Sequence, residues 1–332
     1  MTNPLRRLSK RLPRLRRAVR RIKHAGVYWP TRFMLWGVNR LSPDAALNLA
    51  ERAGALLFRV LRKPRRLAVE HLRIAFGDQL SEASRVRLAG ASFINIARCF
   101  CEIAQIDTLR PQFGDYIEID GWDHAQAVLD QGRGAVVITG HVGNWELMAA
   151  YFAWKGLPMA TIARRAYEPR LNQLIVDLRR QQGVQTILLE SPNATRDLLR
   201  VLKNHGLLAI VIDQEPKAAS ESVPFFSRAA HTPAAAASLA VRRKLPVFAA
   251  FIQRRPQRGH RITILPPFAV PDSGDVPTDI RDLTAIISEA LEEQIRKNPA
   301  EWVWWHRRWW PAPLTDLDLD RELPYAYSPS GL

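Results

Sequence analysis

Between residues 116 and 297, short apolar runs rich in β-branched residues alternate with stretches of helical periodicity. This alternation constrains the fold more than any single motif. The runs Tyr116–Ile119, Ala135–Thr139, Pro158–Ala163, Gln185–Leu189, Leu207–Ile212, Pro246–Ile252 and Arg261–Leu265 read as strands, because each is short and bounded by turn-forming residues. Helical patterns fill the gaps at Asp123–Gln131, Trp145–Lys155, Pro169–Gln182, Asn193–Asn204, Pro233–Arg243 and Thr278–Lys297. Strands separated by helices pair in parallel and are covered on both faces. The expected fold is therefore α/β, a mostly parallel central sheet flanked by helices. A further helix is expected over Ser81–Ala104, carrying Val86, Phe93, Ile96, Phe100 and Ile103 inward, and Thr232-Pro233 reads as the N-cap and first turn of the helix that follows.

In such a sheet, ligands bind at the carboxyl ends of the strands. Ala135–Thr139, bounded by Gly134 and Gly140, delivers His141 to that edge, and Glu146 follows five residues later. His141 can act as a general base near neutral pH. A spacing of five is not a same-face spacing, so the histidine belongs on the turn and the glutamate on the first helical turn, reaching back to orient the imidazole.

Two other strand ends place polar groups near the same crevice. Arg164 and Arg165 follow Pro158–Ala163, where their guanidinium groups could hold a phosphate or a developing oxyanion, or simply be solvated. Asp213 and Gln214 end Leu207–Ile212, where the carboxylate could orient an arginine or a substrate hydroxyl, or begin a turn. Asn144, inside the His141 to Glu146 block, joins the candidate substrate-binding set. The run from Glu301 to Pro311 holds five tryptophans and His306; it fits an interfacial belt, cation–π stacks, a wall of a lipid site or plain packing. Cys99 and Cys101 lie in an apolar helical stretch without the partners of a zinc site, so they read as reduced core residues and no metal is expected.

Charge sets the front of the chain apart. The net charge is +16, and ten Lys and Arg residues precede residue 24, with no acid before Asp44. Leu5, Leu8, Leu12, Leu15, Val19 and Ile22 recur at intervals of three and four among those cations, the pattern of a helix lying on an anionic membrane surface. A nucleic-acid arm would not need the leucine stripe, and the body has no nucleic-acid motif; a transit peptide or a charged end are the other readings. Residues 26–61 are rich in Trp, Phe, Leu and Ala but interrupted by charges, short of the roughly 18 to 20 apolar residues that a membrane span needs. An interfacial hairpin of helices is expected, with Tyr28, Trp29 and Trp36 at headgroup level. Residues 1–62 are thus read as a basic, amphipathic membrane-association region and 63–332 as one α/β domain, on the cytoplasmic side for want of a secretory signal.

Five blocks taken in order carry a resemblance: Arg66 to Phe76, Gly140-His-Val-Gly-Asn-Trp-Glu, the Arg164 region, Asp213-Gln214 with Val223-Pro-Phe-Phe, and Trp305-His-Arg-Arg-Trp. Together they resemble the bacterial lipid A biosynthesis acyltransferases, within the wider lysophospholipid acyltransferase group. The resemblance implies His141 and Glu146 as the catalytic pair, with Arg164 and Asp213 as site residues. It also implies a peripheral or monotopic enzyme on the cytoplasmic face of the inner membrane. The chemistry would be direct O-acyl transfer from acyl carrier protein or acyl-CoA to a lipid A precursor, with Arg164 at the oxyanion and no cofactor beyond the thioester co-substrate. The basic arm stands where many relatives have a cleaner hydrophobic anchor. Another glycolipid acceptor, such as a phosphatidylinositol mannoside, and a noncatalytic membrane-binding scaffold are the alternatives.

Overall fold

A computed structural model describes residues 13–214 and 219–309, with side chains from residue 26 onward. The stripe and cations of the arm therefore lie largely outside the described residues. The chain builds a seven-stranded sheet of β1 (Ile117–Asp120), β2 (Ala135–Thr139), β3 (Met159–Ala163), β4 (Val184–Leu188), β5 (Leu207–Val211), β8 (Val247–Arg254) and β9 (His260–Ile264), in the order β1-β9-β8-β2-β5-β3-β4. All neighbours are parallel except β8 and β9, which form a hairpin and reverse that edge of the sheet.

The period of two along each strand divides the core. Val136 and Ile138 of β2, Leu208 and Ile210 of β5, and Val247, Ala249 and Phe251 of β8 face one layer. That layer contains α3 (Arg62–Phe76), the first half of α4 (Glu82–Ala104), α11 (Ala235–Arg243) and α12 (Val276–Lys297). Ala135 and Val137, Leu207 and Ala209, and Phe248, Ala250 and Ile252 face the other, which includes α7 (Trp122–Leu129) and α8 (Trp145–Trp154). Both faces of β2 are buried, which is why its sequence is apolar throughout instead of alternating. Short α5 (Ile106–Leu109) and α6 (Phe113–Tyr116) lead into β1, while α9 (Pro169–Gln181) and α10 (Ala194–Lys203) connect β3 to β4 and β4 to β5.

Two expectations at this level need correction. Thr232 and Pro233 do not start a helix; they close β7 (Arg228–Pro233), which pairs antiparallel with β6 (Ser220–Phe225) in a separate hairpin. The turn between them, Phe226-Ser227, holds two non-glycine residues at φ 51° and 59°. Such a two-residue turn normally carries Asn-Gly. Here burial substitutes for that preference: Phe226 packs against Phe76 and Trp304, and the Arg296 guanidinium lies 4.4 Å from its ring. The second correction concerns α4. Ser81 caps it as expected, and Val86 and Phe93 are buried, but Phe100 is 62% exposed and Ile96 and Ile103 are half-buried.

At the front, α1 (Pro13–Val38) and α2 (Pro43–Val60) are separate helices. Ser42 caps α2, which packs on α4 so closely that a Cβ at Gly54 would lie 2.6 Å from the Ile94 Cα. In contrast, α1 is tied down at its end, where Gln105 donates to the carbonyls of Val38 and Leu41. Trp29, Phe33 and Trp36, at intervals of four and three, are all more than half exposed. No described helix is long and apolar enough to cross a membrane.

Candidate active site

Register brings two side chains together. Thr139 of β2 pairs with Val211 of β5, so His141 and Asp213 each stand two residues past a matched pair, at the same edge and on the same side. Asp213 is fully buried. Its Oδ1 accepts from His141 Nδ1 at 2.7 Å, and its Oδ2 accepts both the His141 backbone N–H at 2.7 Å and the Trp302 indole N–H at 2.8 Å. With Nδ1 donating, His141 Nε2 is left with a lone pair, and the Gln214 side-chain amide donates to it at 3.3 Å. Burial alone would lower the His141 pKa, but the adjacent Asp213 charge and hydrogen bond, helped by Glu146, raise it above the usual value. Burial would raise the Asp213 pKa, but His141 and the Trp302 hydrogen bond hold it well below the ordinary carboxylate range.

The turn that carries His141 is built on two glycines. Gly143 has φ +58°, and a Cβ there would sit 1.8 Å from the Ile252 carbonyl oxygen. At Gly140 a Cβ would meet Leu291 at 2.5 Å and crowd Asp213 Oδ2 at 3.1 Å. The segment after α12 crosses this turn: Gly143 N–H donates to the Glu301 carbonyl, and Val142 bridges Trp302.

Glu146 is on the first turn of α8, as the spacing implies, but it does not reach Nδ1 of His141. Both of its oxygens are taken by Arg179 of α9, whose Nε donates at 2.8 Å to one while Nη2 donates to the other. The imidazole is oriented by Asp213, because only Asp213 shares its register, and Glu146 acts on it through its charge. Asn144 is also differently placed. It is 1% exposed, caps α8 by accepting from Leu147 N–H, and donates to Glu102 Oε2 at 2.9 Å. It is a buried cap, with its polar atoms partnered inside the protein rather than presented to substrate.

Arg164 and Arg165 are exposed at the end of β3. Since β5 lies between β2 and β3, two strand spacings of about 10 Å separate that end from His141. No hydrogen bond or ion pair among the described residues joins Arg164 to His141, Asp213 or Glu146; Arg165 donates its backbone N–H to Glu190. His306 lies beside His141, its ring 5.8 Å from that of His141 and edge-on to Trp302 at 4.9 Å. Among the described residues no group of three or more His, Cys, Asp or Glu side chains could hold a metal ion.

The tryptophan-rich run packs largely into the core beside the His141 turn. Trp302, Trp304 and Trp309 are buried, and Arg308, itself buried, donates to the His231 carbonyl and to Thr232 Oγ1 while its guanidinium stacks 4.3 Å from Phe225. Sequence reasoning missed Arg179, Trp302 as a donor to Asp213, and a buried ionic group behind the turn. There Glu102 accepts from Arg254, His260, Tyr116 and Asn144, and Glu301 accepts from the Arg254 backbone N–H. No spacing rule links these residues, which converge only through the fold.

A histidine oriented by a buried carboxylate at the carboxyl edge of a parallel sheet, with no serine or cysteine hydrogen-bonded to it among the described residues, is the arrangement of a general base. The family model for bacterial lipid A biosynthesis acyltransferases matches residues 13–310, and the chain belongs to that family. It is therefore an acyltransferase. It is similar to the lipid A biosynthesis palmitoleoyltransferase of Escherichia coli, 23% identical over 88% of this chain and 94% of that protein. It is also similar to the phosphatidylinositol mannoside acyltransferase of Mycolicibacterium smegmatis, 24% identical over 70% of this chain and 75% of that protein. The enzyme of that name from Mycobacterium tuberculosis is 26% identical over 61% of this chain and 62% of its own length.

Proposed function

We propose that the protein moves a fatty acyl chain from a thioester donor, acyl carrier protein or acyl-CoA, to a hydroxyl of a lipid A precursor, with His141 as general base. The observation that carries this is the Nδ1–Asp213 hydrogen bond, which fixes the tautomer that leaves Nε2 basic. The acceptor hydroxyl replaces the Gln214 amide at Nε2, gives up its proton and attacks the thioester carbonyl carbon. A C–O bond forms; the tetrahedral intermediate then breaks its C–S bond, and the departing thiolate takes the proton back from the imidazolium. Base catalysis of this kind contributes about 10²- to 10⁴-fold. Asp213 stabilises the imidazolium, and the Glu146–Arg179 pair tunes the field around it. Arg164 and Arg165, exposed on the same sheet edge, are assigned to phosphates of the donor or acceptor, which guanidinium forks suit.

Work at a membrane surface is supported by the exposed row of Trp29, Phe33 and Trp36 on α1 and by Leu56 and Val60 on α2, close in sequence to the cationic arm. The cytoplasmic face of the inner membrane is the assigned location, because the thioester donors are made in the cytoplasm. The chain's net charge of +16 would steer an acidic carrier protein toward it. The names of the mycobacterial relatives support a second acceptor, a phosphatidylinositol mannoside. The deciding experiment incubates the purified full chain with acyl carrier protein and CoA thioesters and a panel of lipid A precursors and mannosides, and reads products by mass spectrometry. Acylation of the lipid A precursor, abolished by His141→Ala, is expected. Acylation of mannosides alone would replace the acceptor, and wild-type rates for His141→Ala would remove the base.

A further inference from the structure

Acyl transfer needs a donor for the carbonyl oxygen as it gains negative charge, and removing such a donor is costly to the rate. Arg164, the group that the sequence offers for this role, stands two strands from the base. The leaving thiolate makes no comparable demand, since an ordinary thiol has a pKa of about 8.5 and departs readily as the anion. Beside His141, however, His306 has both ring nitrogens shielded, and among the described residues neither has a hydrogen-bond partner. A shielded polar atom without a partner carries a desolvation penalty and calls for an explanation, and in His306 both ring nitrogens are in that state beside His141.

The segment that holds His306 is fixed on both sides. Trp302, four residues before it, is anchored by Asp213 and by its bridge to Val142, and Arg308, two residues after it, is anchored to His231 and Thr232. Its ring stands 5.8 Å from that of His141. The chain from base to hydroxyl oxygen, carbonyl carbon, oxyanion and donor folds into about 5 to 7 Å when each hydrogen bond has ordinary length.

We infer that His306 donates the hydrogen bond that receives the thioester carbonyl oxygen as it becomes the oxyanion, an assignment that rests on the acyl-transfer reading above. No proton passes to or from His306. Its N–H is shared with the oxygen while the C–O bond to the acceptor forms, and is released when the C–S bond breaks. Burial lowers its pKa to about 3; Asp213 pulls the other way, and His141, His71 and Arg308 add to the lowering. The ring is therefore neutral at working pH, able to donate, and too weak a base to compete with His141 for the acceptor's proton.

The test compares His306→Phe, His306→Ala and His306→Gln in the full chain, reading kcat, KM for donor and acceptor, and the pH profile. Phe keeps an aromatic ring against Trp302 and so preserves the segment while deleting the donor; Gln restores an N–H. Phe and Ala should lower kcat by about 10²- to 10³-fold, with both KM values and the His141 pH limb unmoved, and Gln should recover part of the loss. Wild-type kcat in the Phe variant, a loss confined to KM, or an equal loss in Phe and Gln with a displaced pH limb would overturn the assignment. Full dependence on His141 together with an unaffected Phe variant would overturn His306 alone. Wild-type rates in His141→Ala would overturn the reading on which it rests.

Discussion

Replacing Asp213 by Asn tests the tautomer argument in a way the geometry makes specific. Asp213 Oδ2 accepts from two donors that cannot be reversed, the His141 backbone N–H and the Trp302 indole N–H, at 2.7 and 2.8 Å. The Asn carbonyl must take that position, since an NH₂ group there would face two donors without an acceptor. Its NH₂ then points at His141 Nδ1, the one partner that can adapt by becoming an acceptor. The imidazole proton moves to Nε2 and the base is lost while the fold stays intact. The expected fall in kcat is about 10²- to 10⁴-fold, the range that base catalysis contributes. The pH profile should move too. Asp213 raises the His141 pKa above its ordinary value, so if His141 is the base, wild-type activity is expected to rise with pH through a limb shifted upward from the ordinary histidine range. Without the carboxylate the residual activity should rise at lower pH. Rates with saturating donor and acceptor from pH 5 to 9, with thermal unfolding as the folding control, decide it. A folded Asn variant within threefold of wild type, on an unmoved limb, would refute the tautomer argument.

Other consequences follow from the same contacts. Glu146→Gln leaves Arg179 half-buried without its counter-ion, so kcat should fall by about tenfold, less than for Asp213→Asn. A double-mutant cycle with Arg179→Gln should show coupling of about 1 to 3 kcal/mol, and strict additivity would break the pairing. Gly143→Ala places a Cβ 1.8 Å from the Ile252 carbonyl at φ +58°, so a loss exceeding about 4 kcal/mol is expected in denaturant unfolding; a loss under 1 kcal/mol would show that the turn can yield. His71, lowered from 6.5 to about 4 by burial despite its hydrogen bond with the Trp304 carbonyl, binds a proton more weakly folded than unfolded. Its contribution is intact above pH 6.5 and is lost as pH falls toward 4, by up to about 3 kcal/mol. Urea unfolding at pH 7 and 4.5 should therefore show a smaller pH difference in His71→Gln than in wild type, and equal differences would contradict this.

The strand-end location of His141 was readable because the central strands β2 and β5 are buried and apolar throughout, while the more exposed β1, β4 and β9 were readable as short runs of β-branched residues alternating with polar ones, both local signals. The β6–β7 hairpin was not, because its turn is Phe226-Ser227 and the usual turn chemistry is replaced by burial of Phe226, which is a tertiary effect. Phe100 fits a helical stripe but lies outside the packed face of α4, since periodicity fixes a face and not what covers it. The partner of His141 was misassigned for a related reason. Glu146 is near in sequence, but Asp213 is near in register, 72 residues later, and sheet pairing decides which carboxylate meets Nδ1. Arg179 comes from α9, where nothing local marks it, and Trp302 belongs to a run whose tryptophan content marked it without showing that its indole reaches Asp213.

The buried charges behind the catalytic turn explain how a turn with two glycines stays rigid. Asn144 caps α8 and donates to Glu102, whose remaining capacity is filled by Arg254, His260 and Tyr116. Glu301 closes the loop: its carbonyl receives Gly143 N–H and its carboxylate receives the Arg254 backbone N–H. The turn is thus held from below by this network and from above by Trp302, which also grips Asp213. Breaking such a buried pair by removing one partner is far more damaging than its net contribution, because the other charge is left desolvated. His141 therefore depends on strand β5 for its tautomer and on the segment from Glu301 to Trp309 for its position.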